Sequence, residues 1–161
     1  MPPEFPSLPG TYALFLTLSA PAGLTVGKLG VFGFPVGEYV YMGSARGPGG
    51  LRARLRHHLR PALRPHWHID YLRTRAVVSG GVYVVQKETP AGKIVPLECA
   101  WSQALLTLPG ASVPVKGFGA SDCASQCAAH LVYFDDLHDV LWQMRMVVED
   151  SGVFFNLLIP D

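Results

Sequence analysis

A run of eight mostly apolar, β-forming residues constrains the fold of this chain more than any other feature. Residues 11–18 are Thr-Tyr-Ala-Leu-Phe-Leu-Thr-Leu, and they are bounded by Pro9-Gly10 and by Pro21. A continuous apolar run of this length between turn-forming residues is typical of a strand with both faces buried. The sequence therefore predicts a buried strand near the start of the chain.

Two further strands are predicted close behind it. Residues 24–34 carry apolar residues interrupted by glycines at 27, 30 and 33, which indicates a bulge or a hairpin turn. Residues 37–43, Gly-Glu-Tyr-Val-Tyr-Met-Gly, form the third strand. Because the three segments are close in sequence, we expect them to form an antiparallel meander.

The rest of the chain alternates helical and extended patterns. Apolar spacing and prolines at helix starts predict four helices, at 51–60, 65–75, 96–108 and 137–148. Strands are predicted at 77–86 and 131–134, an ordered loop at 110–129 and an apolar tail that needs burial at 153–159. These elements predict an α+β fold, an α/β sandwich in which a small antiparallel sheet of three or more strands is flanked by helices.

Composition limits the class of protein. With 161 residues, 49% of them hydrophobic and 16% charged, we expect a single globular domain over 1–161. The expected core covers about 10–134, followed by a helix and an apolar tail at about 135–161. No apolar run approaches the roughly 20 residues of a membrane span, and the N-terminus lacks the pattern of a signal peptide. An odd number of cysteines, three, favours reduced thiols and a cytoplasmic protein without a membrane partner.

Charge is polarised although the net charge is only +1. Residues 46–75 contain eight arginines and one acid, Asp70, whereas residues 121–161 contain seven acids and one base, Arg145. Such a basic segment is a plausible phosphate-binding surface, and the alternative is a solvated helix that is merely rich in arginine.

The helix at 51–60 separates its polar residues onto two sides. Leu51, Leu55 and Leu59 form one apolar stripe at about 100° per residue. Beyond one edge lies a row of arginines, and beyond the other lie two residues held close to the sheet. The row is Arg52, Arg56 and Arg60, and the pair is Arg54 and His58. Arg54 can reach a phosphate while its stem packs on the core, or it can simply cap the edge of the core.

Three other residues have types suited to phosphodiester chemistry. Glu98 lies in the first turn of an apolar helix, where the helix dipole favours it, and it also suits a hard divalent ion such as Mg²⁺. Tyr12 and Tyr41 lie on predicted strands, where tyrosine is a common core residue with a polar tip. A phenol is a poor base near neutral pH unless a cation or a second base assists it.

Taken in order, these segments resemble the GIY-YIG nuclease superfamily. Gly10-Thr11-Tyr12 is similar to the GIY segment, Tyr41-Met42-Gly43 to the YIG segment, Leu51–Leu55 to the arginine-bearing helix and Glu98 to the metal-binding glutamate. The resemblance implies a three-stranded antiparallel sheet with helices. It also implies a hydrolytic role for Tyr12, phosphate binding by Tyr41 and Arg54, assistance from His58, and Mg²⁺ or Mn²⁺ on Glu98. Tyr12 and Tyr41 are 29 positions apart, so we expect an extra hairpin between them.

The chain is most similar to an uncharacterised GIY-YIG-like branch that occurs alone or fused to base-excision DNA glycosylases. Its marks cover about residues 10–134 and include 39–45, 49–51, 66–72, 97–99, 117–123 and His130-Leu131. The resemblance implies a DNA endonuclease of repair or processing, with DNA as substrate and a repair glycosylase as a partner. Arg46, Arg52, Arg56, Arg60, His66 and His68 are the candidate nucleic-acid contacts.

A second cluster has ligand types that suit zinc. Cys123, Cys127 and His130 form a CxxxCxxH pattern, to which Cys99, His66 or His68 can add ligands. The alternative is that these small cysteines are ordinary core residues. His66 and His68 can likewise bind phosphate, join the site or anchor their loop.

Three functions remain open from the sequence. The first is a metal-dependent endonuclease with Glu98 holding the ion and Arg54 stabilising the developing charge. The second is a catalytically inactive nucleic-acid-binding module. The third is a metal-stabilised protein-interaction domain that uses the acidic C-terminal region and the apolar tail.

Overall fold

The computed structural model describes residues 3–87, 90–92, 97–121, 123–135, 140–148 and 152–157. The strands in these ranges are β1 (Gly10–Leu18), β2 (Ala22–Val26), β3 (Gly30–Phe34), β4 (Gly37–Ala45), β5 (Val77–Val85), β6 (Ala111–Ser112), β7 (Leu131–Phe134) and β8 (Val153–Asn156). The helices are α1 (Gly50–Leu59), α2 (His68–Leu72), α3 (Glu98–Leu106) and α4 (Val140–Val148), with a 3₁₀ turn at Gly27–Leu29. None of the helices in the described ranges has the length and hydropathy that crossing a membrane requires.

Six of the strands form one sheet in the order β6-β7-β4-β1-β5-β8. Every neighbouring pair in this sheet is antiparallel. The strands β2 and β3 form a separate two-stranded sheet. The predicted α+β fold, with an antiparallel sheet flanked by helices, is confirmed.

The strand β1 is mostly apolar because both of its faces are covered. Tyr12, Leu14 and Leu16 belong to a core that includes residues of α1 and α2, such as Leu51 and Leu72. The alternate residues of β1 belong to a second core, with Trp101 and Leu105 of α3 and Met144 and Val148 of α4. One helical layer therefore lies on each face of the sheet, and a strand between two layers has no face left for polar residues.

The predicted meander is wrong. β1 pairs along its whole length with β4, from Gly10 opposite Ala45 to Leu18 opposite Gly37, and the hairpin β2–β3 lies outside the main sheet. Both β1 and β4 are apolar on two faces, so they occupy the centre of the sheet. The hairpin strands alternate exposed and covered residues and have one face to bury. This hairpin occupies the long interval between the two tyrosines.

Several element boundaries differ from the sequence predictions. The helix expected at 65–75 is only the five-residue α2, because the backbone N–H groups of His66 and Trp67 are bonded to the Asp70 carboxylate. The expected loop at 110–129 contains the two-residue β6, and residue 122 lies outside the described ranges. Parts of three other predictions, at 96, 137–139 and 158–159, also lie outside the described residues.

Candidate functional site

The main cleft lies along the outer edge of β4, where its pairing with β7 stops. That pairing ends at Tyr41 opposite Leu131, and one further bond runs from the Met42 amide to the His130 carbonyl over 2.8 Å. The cleft has a volume of about 310 Å³. Its lining comes from β4, α1, α3 and the loop before β7, and includes Tyr41, Gly43, Arg46, Arg54, Trp67, Glu98, Cys99, Gly119, Cys123 and His130.

Tyr12 lies beneath the floor of this cleft. In the β1–β4 ladder Tyr12 is directly opposite Gly43, a residue that lines the cleft. A Cβ atom at Gly43 would lie 2.4 Å from the Tyr12 hydroxyl oxygen, so glycine is what allows the phenol to lie there. Tyr12 is fully buried, whereas Tyr41 lines the cleft, with 6.4 Å between the two ring centroids.

The Tyr12 hydroxyl contacts a buried histidine from α1. The Tyr12 hydroxyl and His58 Nε2 are 2.7 Å apart. Burial, reinforced by the neighbouring Tyr41, raises the pKa of Tyr12 well above its usual value, and the nearby Arg54 guanidinium partly opposes that shift. Burial also lowers the pKa of His58 to about 4. His58 is therefore neutral at pH 7, so one ring nitrogen carries a proton and the other can accept a hydrogen bond.

Arg54 extends from α1 to the rim of the cleft. Leu51 and Leu55 are completely buried and fix this helix on the sheet. The Arg54 guanidinium carbon lies 4.2 Å from the centroid of the Trp67 ring, a cation–π geometry that restrains the side chain. Arg54 thus packs against Trp67 at the edge of the core and also lines the cleft.

Glu98 enters the same cleft from the other face of the sheet. It is the first residue of α3, and its side chain is 15% exposed. Its Oε1 atom lies 3.8 Å from Arg46 Nη2, while Oε2 is buried without a hydrogen-bond partner in the described part of the chain. A buried carboxylate oxygen without a donor is an incomplete site, and a divalent cation is one group that would complete it.

The other candidate nucleic-acid contacts lie elsewhere. Arg52 donates from Nε to the Phe5 carbonyl over 2.8 Å and lies 3.7 Å from Glu4, so it anchors the N-terminal segment. Arg56 and Arg60 are exposed, and neither belongs to the described lining of the cleft.

His66 and His68 line a second depression, of about 480 Å³, beside the β2–β3 hairpin. Lys28 also lines this depression. His68 Nδ1 accepts a hydrogen bond from the Gly119 amide over 2.8 Å, which supports the anchoring role considered for it.

The cysteine and histidine cluster forms one wall of the main cleft. The ligand atoms of Cys99, Cys123, Cys127 and His130 all lie within 4.8 Å of one another, with 3.5 Å between the sulfurs of Cys123 and Cys127. Four tetrahedral ligands at zinc-like bond lengths of about 2.0–2.3 Å have mutual distances below about 4 Å, so this cluster needs little adjustment to hold an ion. The predicted three-residue set gains Cys99, and a Cys/His group able to bind a metal is present.

Burial raises the pKa values of the Cys99 and Cys127 thiols, and the neighbouring cysteine at 123 contributes to both shifts. Burial opposes ionisation of Cys123 as well, but hydrogen bonds from Cys127, from the Ser125 backbone and from Cys99 lower the pKa of the Cys123 thiol. The cluster therefore holds one thiol that ionises more readily and two that ionise less readily than a free cysteine.

The sequence matches one described protein family over residues 11–153, a family described as a domain of unknown function, DUF123. The chain belongs to the DUF123 family. The match includes both tyrosines, Glu98 and the complete Cys/His cluster, and it extends past α4 to the first residue of β8. No curated protein and no solved structure matches the chain. The description of the family names no activity, so any function for this member is argued from the site.

Asp70 is the residue of the site that the sequence analysis missed. It is 1% exposed, and Oδ2 accepts hydrogen bonds from the backbone amides of His66 and Trp67 at 2.9 and 3.0 Å. Oδ1 accepts one from Arg73 Nη1 at 3.0 Å. Burial alone would raise the pKa of Asp70, but the His58 ring, the two amides and His57 together hold it well below its usual range. The available signal was a lone acid within the segment that contains eight arginines.

Proposed function

We propose that this protein is a divalent-metal-dependent DNA endonuclease, a phosphodiester hydrolase of the GIY-YIG type acting in DNA repair or processing. The observation that carries the proposal is the joint presence of Tyr41, Arg54 and Glu98 in one cleft, with Tyr12 beneath its floor. These residues come from both helical layers and from the centre of the sheet. A cleft that combines a cation, a carboxylate and phenols suits hydrolysis of a phosphodiester.

Glu98 would hold the metal ion. Its Oε2 has no hydrogen-bond partner in the described ranges, and a Mg²⁺ or Mn²⁺ ion needs only one or two protein carboxylates in a phosphodiesterase site. When bound, such an ion polarises the phosphoryl oxygens and neutralises part of the developing charge.

Arg46 and Arg54 would bind the phosphate. The contact between Arg46 and Glu98 is long, and the Arg46 side chain is 43% exposed, so exchanging this partner for a phosphate costs less than about 1 kcal/mol. The position of Arg54 against Trp67 restrains its guanidinium before the substrate arrives. Both arginines would favour the transition state, in which the charge on the phosphoryl oxygens rises.

The direct test is Mg²⁺- or Mn²⁺-dependent nicking of supercoiled plasmid and cleavage of branched DNA. Glu98→Gln should lower the rate by about 100-fold or more because the ion loses its protein ligand. Tyr12→Phe should lower kcat by roughly 10²–10⁴-fold because it removes the proton-transfer group and keeps the ring.

Matched controls separate these effects from loss of folding. Glu38→Gln changes a carboxylate that accepts a hydrogen bond from Thr17, and Tyr83→Phe changes the tyrosine paired with Tyr12 on β5. Both controls should cut like the wild type. Equal activity in the wild type, Glu98→Gln and Tyr12→Phe would eliminate this assignment. Salt-sensitive DNA binding without cleavage would favour the binding module instead.

We also propose a structural zinc ion held by Cys99, Cys123, Cys127 and His130. Four protein ligands leave no open position, which is the arrangement of a structural rather than a catalytic zinc. Since Cys99 follows Glu98 in the chain, the same ion would fix the first turn of α3, where the catalytic carboxylate begins. Because thiols bind zinc only when reduced, we further propose a cytoplasmic location.

Metal analysis of the purified protein tests the zinc proposal. We expect about one zinc per chain in the wild type and in His66→Gln, which changes an exposed histidine outside the cluster. Cys99→Ser and Cys127→Ser should each reduce the zinc content severely. A folded wild-type protein without zinc, still metal-free after incubation with zinc under reducing conditions, would contradict the proposal.

A further inference from the structure

A buried charge cluster lies directly behind Tyr12, on the side away from the cleft. His58 is 1% exposed and separates the Tyr12 hydroxyl from the Asp70 carboxylate. Its Nε2 atom is 2.7 Å from the Tyr12 oxygen, and its Nδ1 atom is 3.8 Å from Asp70 Oδ1. His58 Nδ1 has no hydrogen-bond partner within the described residues, so the carboxylate is the polar group toward which it is aimed.

The carboxylate determines which nitrogen of His58 carries the proton. An anion facing Nδ1 favours the tautomer with a proton on Nδ1, and the Nε2 lone pair is then directed at the Tyr12 hydroxyl. In this tautomer the phenol donates its hydrogen bond to the imidazole. The opposite tautomer would direct the Nδ1 lone pair, which carries partial negative charge, at the carboxylate anion, and the two would repel each other.

Asp70 is held so that it remains ionised and in place. Two backbone amides and the Arg73 guanidinium donate to it, and His57 Nε2 lies 3.1 Å from Oδ2. The groups that face His58 thus come from every neighbouring element: Tyr12, Tyr41, Arg54, His57, Asp70 and Arg73. This arrangement also disfavours a second metal ion on His57, His58 and Asp70, because Arg73 and the amides already occupy the carboxylate.

We propose that Asp70 is the positioning residue of a Tyr12–His58–Asp70 proton relay that activates the attacking water. The relay rests on the proposed phosphodiesterase function and specifies how the Tyr12 phenol would act as a base in that reaction. Tyr12 and His58 would transfer protons, whereas Asp70 acts only through His58, by fixing the tautomer and by facing the imidazolium that forms.

Attack by water would deliver one proton to the relay. The water oxygen forms a bond to phosphorus while the bond from phosphorus to the leaving oxygen breaks. The water proton passes to the Tyr12 oxygen as the hydroxyl proton of Tyr12 passes to His58 Nε2. The leaving oxygen takes a proton from solvent, and His58 returns its proton through Tyr12 to solvent.

Position and burial support the relay over an isolated phenol. Gly43 lines the cleft and the Tyr12 hydroxyl lies directly beside Gly43, so the outer end of the relay is next to a residue of the cleft lining. A fully buried phenolate would be costly without a partner, because burial and the nearby Tyr41 both disfavour it. Simultaneous transfer to neutral His58 avoids that anion.

The decisive measurement is the tautomer of His58, observed by long-range ¹H–¹⁵N NMR on the full chain with labelled histidine at pH 7.5. We expect the form protonated at Nδ1 in the wild type. Asp70→Asn should shift the population toward the form protonated at Nε2, whereas Tyr12→Phe, which keeps the carboxylate, and the control Glu38→Gln should leave the Nδ1 form predominant. A wild-type His58 protonated at Nε2 overturns the relay, and this measurement needs neither activity nor a folded Asp70 variant.

Kinetics separate the relay from the proposed nuclease. Asp70→Asn should lower kcat by about 10–10³-fold with KM nearly unchanged, and Asp70→Glu should recover part of the loss. A wild type that cuts DNA with the same kcat as a folded Asp70→Asn variant overturns the relay and leaves the nuclease intact. A wild type that never cuts DNA overturns the nuclease and the catalytic use of the relay, and the tautomer measurement then tests by itself whether Asp70 orients the His58 ring.

Discussion

The cross-strand pair of Tyr12 and Gly43 sets the geometry of the candidate site at the scale of single residues. The ladder between β1 and β4 places them opposite each other, and the missing side chain at Gly43 provides the volume that the phenol occupies. The same phenol then reaches His58 at 2.7 Å. The glycine of the Tyr41-Met42-Gly43 segment is therefore required by the space that the Tyr12 side chain occupies.

Gly43→Ala should destabilise the fold and abolish cleavage. The new Cβ would lie 2.4 Å from the Tyr12 oxygen, and a fully buried ring has no open space into which it can retreat. Overpacking of this kind costs about 1–3 kcal/mol of the free energy of unfolding, measurable by urea denaturation. Gly47→Ala is the matched control, since a Cβ there meets nothing within 4 Å. Equal stability of the two variants would contradict the steric argument.

Stability should depend on pH through His58. The folded pKa is about 4 and the ordinary value is 6.5, so between these values the unfolded state binds more protons. The free energy of unfolding should therefore fall as pH drops from 6.5 to 4, by roughly 3 kcal/mol at about 1.4 kcal/mol per pKa unit. Urea denaturation across this range should give a much weaker slope for His58→Gln. The exposed His66→Gln should keep the wild-type slope, and an unchanged slope in His58→Gln would refute the assignment.

At the scale of elements, α3 and the loop before β7 act as one structural unit. Ser102 of α3 donates to the Ala129 carbonyl over 2.5 Å, and the His130 carbonyl accepts from Met42 of β4. Cys99 and Glu98 are adjacent at the start of the same helix. The proposed zinc would therefore connect the loop, α3 and β4, and the position of Glu98 would depend on it.

Removal of zinc should loosen this unit and weaken the binding of Mn²⁺. Chelation with a zinc-selective chelator should increase amide hydrogen exchange in residues 97–106 and 113–130 while leaving β1 protected, because β1 lies in the centre of the sheet. The concentration of Mn²⁺ that gives half-maximal cleavage should rise by about 10-fold or more. Restored zinc should reverse both effects, and identical exchange with and without zinc would exclude a structural role for the cluster.

At the scale of the whole molecule, the topology brings only part of the basic segment to the cleft beside β4. The arginine-rich segment 46–75 begins directly after β4 and includes α1. Arg46 and Arg54 line the cleft, whereas Arg56 and Arg60 are exposed outside its described lining. The basic segment is consequently divided between a cleft and a helix surface. Under the proposed function, only the part in the cleft would contact the phosphate that reacts.

The salt dependence of DNA binding should distinguish these two parts. Each phosphate contact contributes about −0.9 to the slope of log K against log salt for a duplex. Arg46→Gln should reduce the slope by about 1, measured by fluorescence anisotropy with Ca²⁺ in place of Mg²⁺. Lys87→Gln, the same charge change at an exposed residue beyond β5, should leave the slope unaltered. Equal slopes for both variants would remove Arg46 from the interface.

The elements could be predicted from sequence because their signals are local. Three patterns can be recognised without knowing which residues they pack against. They are the apolar run at 11–18, the apolar stripe of Leu51 and Leu55, and the extended segment at 131–134. The α2 boundary could not be predicted, because a side chain from inside the helix binds the amides before it. The prediction of a meander was wrong for a related reason. Which strands pair depends more on how many faces each strand must bury than on how close the strands are in sequence.

The sequence by itself determined the α+β class, the residue types of the site and the family to which the chain belongs. Each of these depends only on local residue patterns or on the order of motifs along the chain. Only the tertiary structure decided that β1 pairs with β4, that Cys99 completes the Cys/His cluster and that Asp70 lies behind His58. These are contacts between residues distant in sequence. They depend on which surfaces the chain must bury together, and that physical requirement is satisfied only when the whole sheet and both helical layers have formed.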